Sequence, residues 1–287
     1  MTQTWKPQAI SWNGYRLDLD RKTHVMGILN VTPDSFSDGG LFYDRDRAVE
    51  HGLQMTQEGA DIIDVGGEST RPYSEQVSVD VELERVIPVI EVLSKEIAIP
   101  ISIDTVKAEV VREAIRAGAS MINDISALRF DPNMISVAAE AQVPVILMHM
   151  KGTPANMQES PTYEDLIPEI KGFLREAIDR AVDKGIKEEN IIIDPGIGFG
   201  KTFDNNLEII RDLNEFTTLK RPILLGTSRK SFLGHILGKG PSERDVATMA
   251  TISVGVMNGA SIVRVHDVKS AVDTVRVIDA IKRGSAN

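Results

Sequence analysis

The chain has 287 residues, 42% of them hydrophobic and 26% charged, so it is long enough to bury a large core and has the composition of a globular protein. Its net charge of −10 argues against nucleic acid or an anionic membrane as the main partner. The absence of cysteine excludes disulfides, thiolate metal sites and a cysteine nucleophile. The first residues contain no signal-like apolar run and no segment reaches membrane-spanning length, so we expect a cytoplasmic protein.

The first structural signal is a hairpin within residues 1–23. Apolar residues alternate on both sides of Asn13-Gly14, and an Asn-Gly pair between alternating strands is the strongest short-range hairpin signal. We expect this hairpin to precede the repeating part of the chain and to cover one end of its core.

After the hairpin, a short apolar strand followed by an amphipathic helix recurs eight times. The strands are predicted at 24–30, 61–65, 101–104, 121–124, 143–149, 191–194, 223–227 and 262–266. The helices are predicted at 45–58, 79–95, 107–117, 132–141, 163–184, 204–216, 243–258 and 270–282. Eight such units are the count of an α/β (β/α)8 TIM barrel, which we place at residues 24–284; a doubly wound open sheet is the alternative. No linker divides the chain, so residues 1–287 are predicted to form a single domain.

In such a barrel the chemistry gathers at the carboxyl ends of the strands. Every predicted strand ends in polar residues: Asn30, Asp64, Asp104, Asn123 with Asp124, His149, Asp194, Thr227 with Ser228 and Lys230, and Arg264 with His266. Single members of the set have ordinary explanations. Asp64 could anchor a turn, Asp104 could cap a helix, and His149 could be a hydrogen-bonded core histidine. The set as a whole indicates a site.

This set divides into two chemical halves. Asp104, Asn123 and Asp194 offer acceptors and a donor that suit a flat heterocycle rich in N–H groups. The other half, with Asn30 facing it, suits an anion such as a diphosphate with its Mg²⁺ and comprises Lys230, Arg264 and His266. A short extra helix predicted after Lys230 is typical of the phosphate site of these barrels. Arg264 could instead form a salt bridge across the barrel mouth.

The stretch DPGIGFGKT at residues 194–202 invites a nucleotide-binding interpretation. A P-loop needs four residues between its two glycines, but only three separate Gly196 from Gly200. The dinucleotide fingerprint fails as well, because Lys201 stands where its last glycine belongs. We interpret the stretch as a strand-end acid followed by a turn in which the backbone comes close to another group.

Two loops rich in Gly, Ser, Asp and Pro follow the first two strands, at residues 31–40 and 66–72. Both leave strand ends, so they are candidate lids. An exposed Phe36 in the first loop would be explained by a ligand that it covers; the alternative is an ordinary loop whose Phe36 tucks into the barrel rim.

Eight motifs together give the chain a family resemblance. In order they are MGILNVTPDSFSDGG (26–40), DIIDVGGESTRP (61–72), ISIDT (101–105), IND (122–124), LMHM (147–150), DPGIGFGKT (194–202), GTSRKSF (226–232) and VRVHD (263–267). With them the chain resembles bacterial dihydropteroate synthase over nearly its whole length after the hairpin. The resemblance implies condensation of 6-hydroxymethyl-7,8-dihydropterin diphosphate with 4-aminobenzoate, which releases diphosphate and forms 7,8-dihydropteroate for folate synthesis.

The resemblance also implies a role for individual residues. The pterin ring would be held by Asp104, Asn123, Met148, Asp194, Phe199 and Lys230. The diphosphate would be held by Asn30, Arg264 and His266, with Mg²⁺ on Asn30. The 4-aminobenzoate would be bordered by Phe36, Thr70, Arg71, Pro72, Ser228 and Lys230. Lys230, Arg264 and Asp34 are the expected catalytic residues, the glycines of DPGIGFGKT would let the chain pass close to the ring, and Lys201 is expected at the surface. A homodimer is also implied.

One departure from the family pattern concerns the second loop. Family members usually continue Ser-Thr-Arg-Pro with glycine, whereas this chain has Tyr73. Sulfonamides compete for the aminobenzoate pocket, so we expect Tyr73 to weaken their binding. Two alternatives remain for the function: a pterin-binding methyltransferase, which would not need the Ser-Arg-Lys-Ser-Phe turn, and a non-catalytic pterin-binding protein. A lyase that uses Lys230 as a Schiff base is a further alternative.

Overall fold

The computed structural model describes residues 7–32, 41–69, 76–159 and 161–285, without the side chains of residues 41–44. The predicted hairpin is present as an antiparallel pair, β1 (Ile10–Trp12) and β2 (Tyr15–Leu17). The indole Nε1 of Trp12 donates a 2.7 Å hydrogen bond to the carbonyl oxygen of Ser120. Because Ser120 directly precedes a barrel strand, the hairpin covers the amino-terminal end of the barrel, opposite the predicted site.

The eight strands of the main sheet are all parallel and neighbour one another in chain order. They are β3 (His24–Asn30), β4 (Ile62–Gly66), β5 (Ile101–Asp104), β6 (Met121–Asp124), β7 (Val145–Met148), β8 (Ile191–Asp194), β9 (Leu224–Leu225) and β10 (Ile262–Val265). A parallel bridge between Ile193 and Ile223 joins β8 to the chain entering β9 and closes the ring. The predicted (β/α)8 barrel is therefore confirmed, and the doubly wound alternative is wrong.

Helices surround the barrel. They are α1 (Leu41–Gln57), α2 (Val79–Glu96), α3 (Ala108–Ala117), α4 (Met134–Ala141), α5 (Leu166–Asp183), α6 (Phe203–Arg211), α7 (Ser231–Leu237), α8 (Asp245–Met257) and α9 (Val268–Arg283). The extra helix predicted after Lys230 is α7. Glycine ends α3 as expected, with Gly118 at a φ of 115° that favours a residue without Cβ. No helix within the described residues is long and apolar enough to cross a membrane.

Several described elements are shorter than predicted, among them β7, β9 and α6. β7 begins two residues and β9 one residue later than predicted, and both also end early. Pro144 lies inside the predicted β7, and Pro222 directly precedes the predicted β9. Pro144 and Pro222 lack the N–H that a ladder needs, although their carbonyls accept from Ile122 and Ile193 at 2.9 Å. The helix predicted at 204–216 ends at Arg211 and continues as the 3-10 helix Leu213–Leu219.

The main core lies between the strands and the helices. All four residues of β8 are buried, as a strand covered on both faces should be. The barrel interior and the helix faces form one hydrophobic cluster, while a separate small apolar cluster lies at the carboxyl ends of the strands. This second cluster forms an apolar wall among the polar residues at the strand ends.

Candidate active site

Four neighbouring strand ends reach the same level of the barrel. Asn30 is the register partner of Gly66, Gly66 of Asp104, and Asp104 of Asn123. A Cβ added to Gly66 would lie 3.6 Å from Asp104 Cβ and 3.8 Å from Asn30 Oδ1. Gly66 therefore leaves open the space between these two polar side chains. The strand-end residues that the sequence predicted on β3, β5 and β6 lie together.

Arg264 of β10 joins the carboxylates of two other strands. Its Nε donates to Asp64 Oδ2 and its Nη2 to Asp104 Oδ2, each at 2.6 Å. Asn123 Nδ2 donates to the same Asp64 oxygen at 3.0 Å. The salt bridge considered as an alternative for Arg264 thus exists, and it lies inside the site. Asp64, which the sequence left as a possible turn anchor, is a fully buried member of this network.

The same network perturbs the charges of its members. Burial raises the pKa of Asp104 to about 7, although Arg264 opposes the increase. Burial acts against the charge of Arg264 too, but Asp64 and Asp104 outweigh it and hold the guanidinium pKa above its ordinary value. Arg264 is therefore permanently cationic, while Asp104 can take up a proton near neutral pH.

Asp194 ends β8 and is 7% exposed. Its Oδ1 accepts a 2.7 Å hydrogen bond from the Gly196 N–H. Burial raises the pKa of Asp194 to about 6, against the opposing effects of that hydrogen bond and of Lys230. Asp194 is therefore mostly ionised at pH 7 and can accept from N–H groups. Asp124 differs, because its two oxygens already accept from the backbone of Ser126 and Leu128.

Lys230 lies against an aromatic ring beside these carboxylates. Its Nζ is 4.1 Å from the ring centroid of Phe199, a cation–π distance. Burial, then Arg264, lowers the pKa of Lys230 to about 8. Phe199 and Met148 belong to the small apolar cluster at the strand ends, with Ile125, Met150 and Met157. The site thus combines an apolar wall with acids and cations, as its predicted pterin half requires.

The turn that precedes Lys230 has a strained backbone, which residues of α8 stabilise. Arg229 has a φ of 57°, which is unusual for a residue with a side chain. Its guanidinium makes a two-pronged ion pair with Asp245 of α8, at 2.7 and 2.8 Å. Its backbone N–H donates to Thr248 Oγ1 at 3.1 Å. Arg229 therefore faces α8, while Ser228 and Lys230 on either side of it contact the site.

Ser228 and His266 pair beside the cations. Ser228 Oγ accepts from the His266 N–H at 3.2 Å and lies 2.8 Å from His266 Nδ1. Burial, followed by the positive charges of Arg229, Arg264 and Lys230, lowers the pKa of His266 to about 3. The imidazole is therefore neutral. We assign the hydroxyl hydrogen of Ser228 to the contact with Nδ1, and this assignment places the imidazole proton on Nε2. His266 thus offers an anion a neutral N–H donor rather than a charge.

The glycines of DPGIGFGKT are required by contacts within the protein that the sequence did not predict, while their expected closeness to the ring stays a prediction. Gly196, Gly198 and Gly200 all have φ between 64° and 81°. A Cβ would lie 1.9 Å from the His149 carbonyl oxygen at Gly196 and 2.3 Å from the Lys151 carbonyl oxygen at Gly200. At Gly198 it would meet the Lys230 side chain at 3.2 Å. The close approach is therefore to the loop after β7 and to Lys230.

The surface position expected for Lys201 is wrong. Its side chain is 2% exposed, and Nζ lies 2.9 Å from His149 Nδ1 and 3.0 Å from the Phe199 carbonyl oxygen. Thr202 caps α6 in a capping box with Asn205. Lys201 therefore precedes the helix and folds inward instead of lying on its outer surface. The sequence indicates the helix start at Thr202, but it does not indicate that His149 on another loop contacts Lys201.

Some predicted site residues fall outside the described residues: Asp34, Phe36, Thr70, Arg71, Pro72 and Tyr73. Their roles stay predictions. Among the residues that are described, no three His, Asp or Glu side chains cluster as a protein-held metal site would require. Asn30 offers one amide oxygen, which suits Mg²⁺ only when phosphate oxygens and water supply the other ligands.

These elements define a (β/α)8 barrel with acids, an amide and cations gathered at the carboxyl ends of its strands, an arrangement that suits a flat polar ring and an anion. A family model described as pterin binding enzyme matches residues 26–266. The Bacillus subtilis dihydropteroate synthase is 50% identical over 276 residues, which cover 96% of this chain and 92% of that protein. The chain belongs to the pterin-binding enzyme family and, within it, to the dihydropteroate synthases.

Two solved structures agree with this assignment. A Yersinia pestis dihydropteroate synthase with a sulfonamide drug has a TM-score of 0.92, with 43% identity and coverage of 96% of this chain and 100% of that one. A Xanthomonas albilineans dihydropteroate synthase with 4-aminobenzoic acid has a TM-score of 0.90, with 45% identity and coverage of 96% and 98%. The family resemblance drawn from the eight motifs is confirmed, and the methyltransferase and non-catalytic alternatives are not supported.

Proposed function

We propose that the chain condenses 6-hydroxymethyl-7,8-dihydropterin diphosphate with 4-aminobenzoate, giving 7,8-dihydropteroate and diphosphate. Family membership over nearly the full length supports this transferase activity. The observation that carries it is the Arg264 guanidinium, which bridges Asp64 and Asp104 within the group that also holds Lys230 and Asp194. The carboxylates that would bind the pterin ring therefore lie next to the cations that would bind the departing diphosphate.

The acids act on the pterin. The ionised carboxylate of Asp194 would accept N–H groups at one edge of the ring, while Asn123 and Asp104 would border it on the neighbouring strands. Met148 and Phe199 would pack against its face. As the bond to diphosphate breaks, positive charge develops on the exocyclic carbon, and the nearby carboxylates would stabilise that charge. No side-chain nucleophile is needed, because the aminobenzoate amine attacks the carbon.

The cations act on the departing diphosphate. Arg264 and Lys230 would stabilise the negative charge that grows on the leaving group, and the Nε2–H of His266 would donate to one of its oxygens. Mg²⁺, held by phosphate oxygens and water with Asn30 as the protein ligand, would neutralise further charge. Ser228 and Lys230 would border the aminobenzoate, together with residues of the two loops that carry Asp34, Phe36, Thr70, Arg71 and Pro72.

The test is a diphosphate-release assay with both substrates, run with Mg²⁺ and with excess EDTA. We expect release that needs both 4-aminobenzoate and Mg²⁺. If the protein releases no diphosphate in response to aminobenzoate, the proposed function is wrong. If release persists unchanged in EDTA, the role given to Mg²⁺ and Asn30 is wrong.

We predict that Asp245→Asn lowers kcat/KM by about tenfold, the order expected when a catalytic group is displaced rather than removed. The ion pair to Asp245 holds Arg229 in its strained conformation, and this conformation presents Lys230 to the site. Steady-state kinetics on the variant check the prediction. Asp212→Asn, which loses an exposed pair to the neighbouring Arg211, is the matched control and should leave kcat/KM unchanged. Equal effects of the two substitutions would contradict the positioning argument.

Tyr73 is predicted to reduce sulfonamide binding relative to aminobenzoate. It replaces a glycine usual in the family, adds bulk beside the proposed aminobenzoate pocket, and cannot adopt a glycine-only backbone without cost. We expect Tyr73→Gly to lower the sulfonamide inhibition constant while the aminobenzoate KM changes less. The sulfonamide inhibition constant is measured for the wild type and for Tyr73→Gly. An unchanged ratio of this constant to the aminobenzoate KM would contradict the prediction.

A homodimer is proposed from the outer surface of α8. Val246, Val254 and Met257 on that surface are 84%, 46% and 53% exposed, so this helix is apolar on both faces. The helix α9, which packs against α8, also exposes two apolar side chains, Val277 and Ile281. A second copy of the chain would cover this patch in the cytoplasm, where we place the protein.

Sedimentation velocity tests the dimer. We expect the wild type to sediment as a dimer and Val254→Glu as a monomer, since the substitution places a charge in the apolar patch. Val182→Glu on α5 is the matched control, because Val182 is also exposed and lies outside α8 and α9. A monomeric wild type, or a dimer that survives Val254→Glu, would refute this assembly.

A further inference from the structure

Lys201 is a buried charged group that the mechanism above leaves without a task. Its Nζ lies 2.9 Å from His149 Nδ1, 3.0 Å from the Phe199 carbonyl oxygen and 3.4 Å from the His149 carbonyl oxygen. None of these acceptors is a carboxylate. An enclosed ammonium group without a direct ion pair is costly, so such a lysine in a site is a candidate for a functional role.

The acceptors of Lys201 belong to two different loops. His149 follows β7, and Phe199 lies in the loop after β8. The two loops already touch, because the Gly196 backbone passes close to the His149 carbonyl and the His149 N–H donates to the Asp194 carbonyl at 2.9 Å. The bonds of Lys201 therefore tie the end of β7 to the segment that carries the Phe199 ring. That ring in turn lies against the Lys230 ammonium group.

The charge of Lys201 also acts on Asp194. Burial lowers the pKa of Lys201 to about 7, while Asp194 raises it and Lys230 lowers it further. Burial raises the pKa of Asp194 to about 6, and the charges that oppose this increase are those of Lys230, Lys201 and Arg264. His149 remains neutral, because burial and the charges of Lys201, Arg129 and Lys151 lower its pKa. The proton of the Lys201–His149 pair therefore lies on Lys201.

We infer that Lys201 is a positioning residue of the pterin pocket. Its ammonium group holds the Phe199 segment against the end of β7 and favours the ionised carboxylate of Asp194. The inference rests on the proposed roles of Asp194 and Phe199 in binding the pterin. It gives the Gly-Lys-Thr end of DPGIGFGKT a function that involves no nucleotide.

Two variants separate the effect of the hydrogen bonds that Lys201 makes between the two loops from the effect of its charge. Lys201→Met removes both, whereas Lys201→Gln removes the charge and keeps two N–H donors. The dissociation constant of 6-hydroxymethyl-7,8-dihydropterin diphosphate is measured by calorimetry between pH 5 and 9, at fixed Mg²⁺ and without aminobenzoate. We expect the fall in affinity at low pH, the acid limb of the profile, to lie about one pH unit higher in both variants, because Asp194 loses a neighbouring positive charge. Lys201→Gln should therefore bind about tenfold more weakly than wild type at pH 5 and about twofold more weakly at pH 7. Lys201→Met, which also loses the hydrogen bonds between the two loops, should bind about tenfold more weakly at pH 7. A purely structural lysine would not move this limb.

Lys151→Met is the matched control, since Lys151 lies on the same loop as His149 but has an exposed side chain. It should leave affinity and acid limb unchanged. If Lys201→Met does not fold, Lys201→Gln carries the test. Folded Lys201 variants that bind within twofold of wild type with an unmoved acid limb overturn the inference, as does an equal shift in Lys151→Met. The wild type is assayed in parallel: if it releases no diphosphate, the proposed function fails, whereas normal release with an unmoved limb refutes only Lys201.

Discussion

Arg264→Ala should lower kcat/KM for the dihydropterin diphosphate by about a thousandfold, the upper range for removing one preorganised group that stabilises transition-state charge. Arg264 is the permanent cation of the site, because Asp64 and Asp104 keep its pKa above the ordinary value despite burial. Its loss removes the stabilisation of the leaving diphosphate. Initial rates of diphosphate release over a range of substrate concentrations provide the measurement.

The same substitution should also affect the fold. Asp64 is fully buried, its Oδ1 has no hydrogen-bond partner within the described residues, and without Arg264 its Oδ2 would keep only Asn123. Breaking such a buried pair costs about 3 kcal/mol, so the melting temperature should fall. Arg264→Lys keeps the charge but cannot bridge two carboxylates with one planar group, and we expect it to remain well below wild type in kcat/KM.

Arg211→Ala is the control for Arg264, because Arg211 pairs with its neighbour Asp212 on an exposed surface. It should change neither kcat/KM nor the melting temperature by a measurable amount. Activity of folded Arg264→Ala close to that of the wild type would contradict the role of Arg264 in diphosphate departure. A large loss in Arg211→Ala would show that the assay responds to general loss of charge.

Asp194→Asn should weaken binding of the dihydropterin diphosphate by at least about a hundredfold, because the hydrogen bonds to an ionised acceptor are among the strongest in proteins. An amide offers one acceptor oxygen and replaces the other by a donor, which would face an N–H group of the ring. Calorimetry on the folded variant measures the loss. Retained affinity would make Asp194 a structural residue.

Asp194→Asn should weaken binding, but it should not lower the stability of the ligand-free protein. Burial raises the pKa of Asp194 to about 6, above the value of an unfolded aspartate, so the folded state binds more protons than the unfolded state between these values. Stability therefore falls as pH rises through about 6, where the carboxylate ionises inside the protein. Asp194→Asn removes this cost, so its melting temperature should equal or exceed that of wild type.

The melting-temperature difference between Asp194→Asn and wild type should be largest at pH 8 and become small near pH 4, where the folded carboxyl is protonated and the unfolded one is about half protonated. Differential scanning calorimetry at several pH values tests this. A variant that is less stable than wild type at pH 8 would contradict the burial argument. Comparison with wild type at each pH cancels the titration of His266, whose lowered pKa acts in the opposite direction.

The sequence by itself determined the barrel and the level of the site. Periodic apolar strands, helices ending at glycine and polar strand ends are local patterns, because backbone propensity and burial act over a few residues. The eight strand ends therefore predicted Asp104, Asn123, Asp194 and Arg264 as one group before any contact was known. The exact ends of β7 and β9 could not be predicted in this way, because they depend on pairing with strands elsewhere in the chain.

Only the tertiary structure decided how the group is connected. Asp64 became a partner of Arg264 because their strands, β4 and β10, lie on either side of β3 in the barrel although the two residues are 200 positions apart in the chain. The positive φ of Arg229 is tolerated because α8 supplies Asp245 and Thr248. Lys201 turned inward, where His149, 52 residues earlier on another loop, supplies two of its acceptors. Contacts between distant segments determine burial, and burial determines the charge of each group, so local patterns in the sequence cannot specify these features.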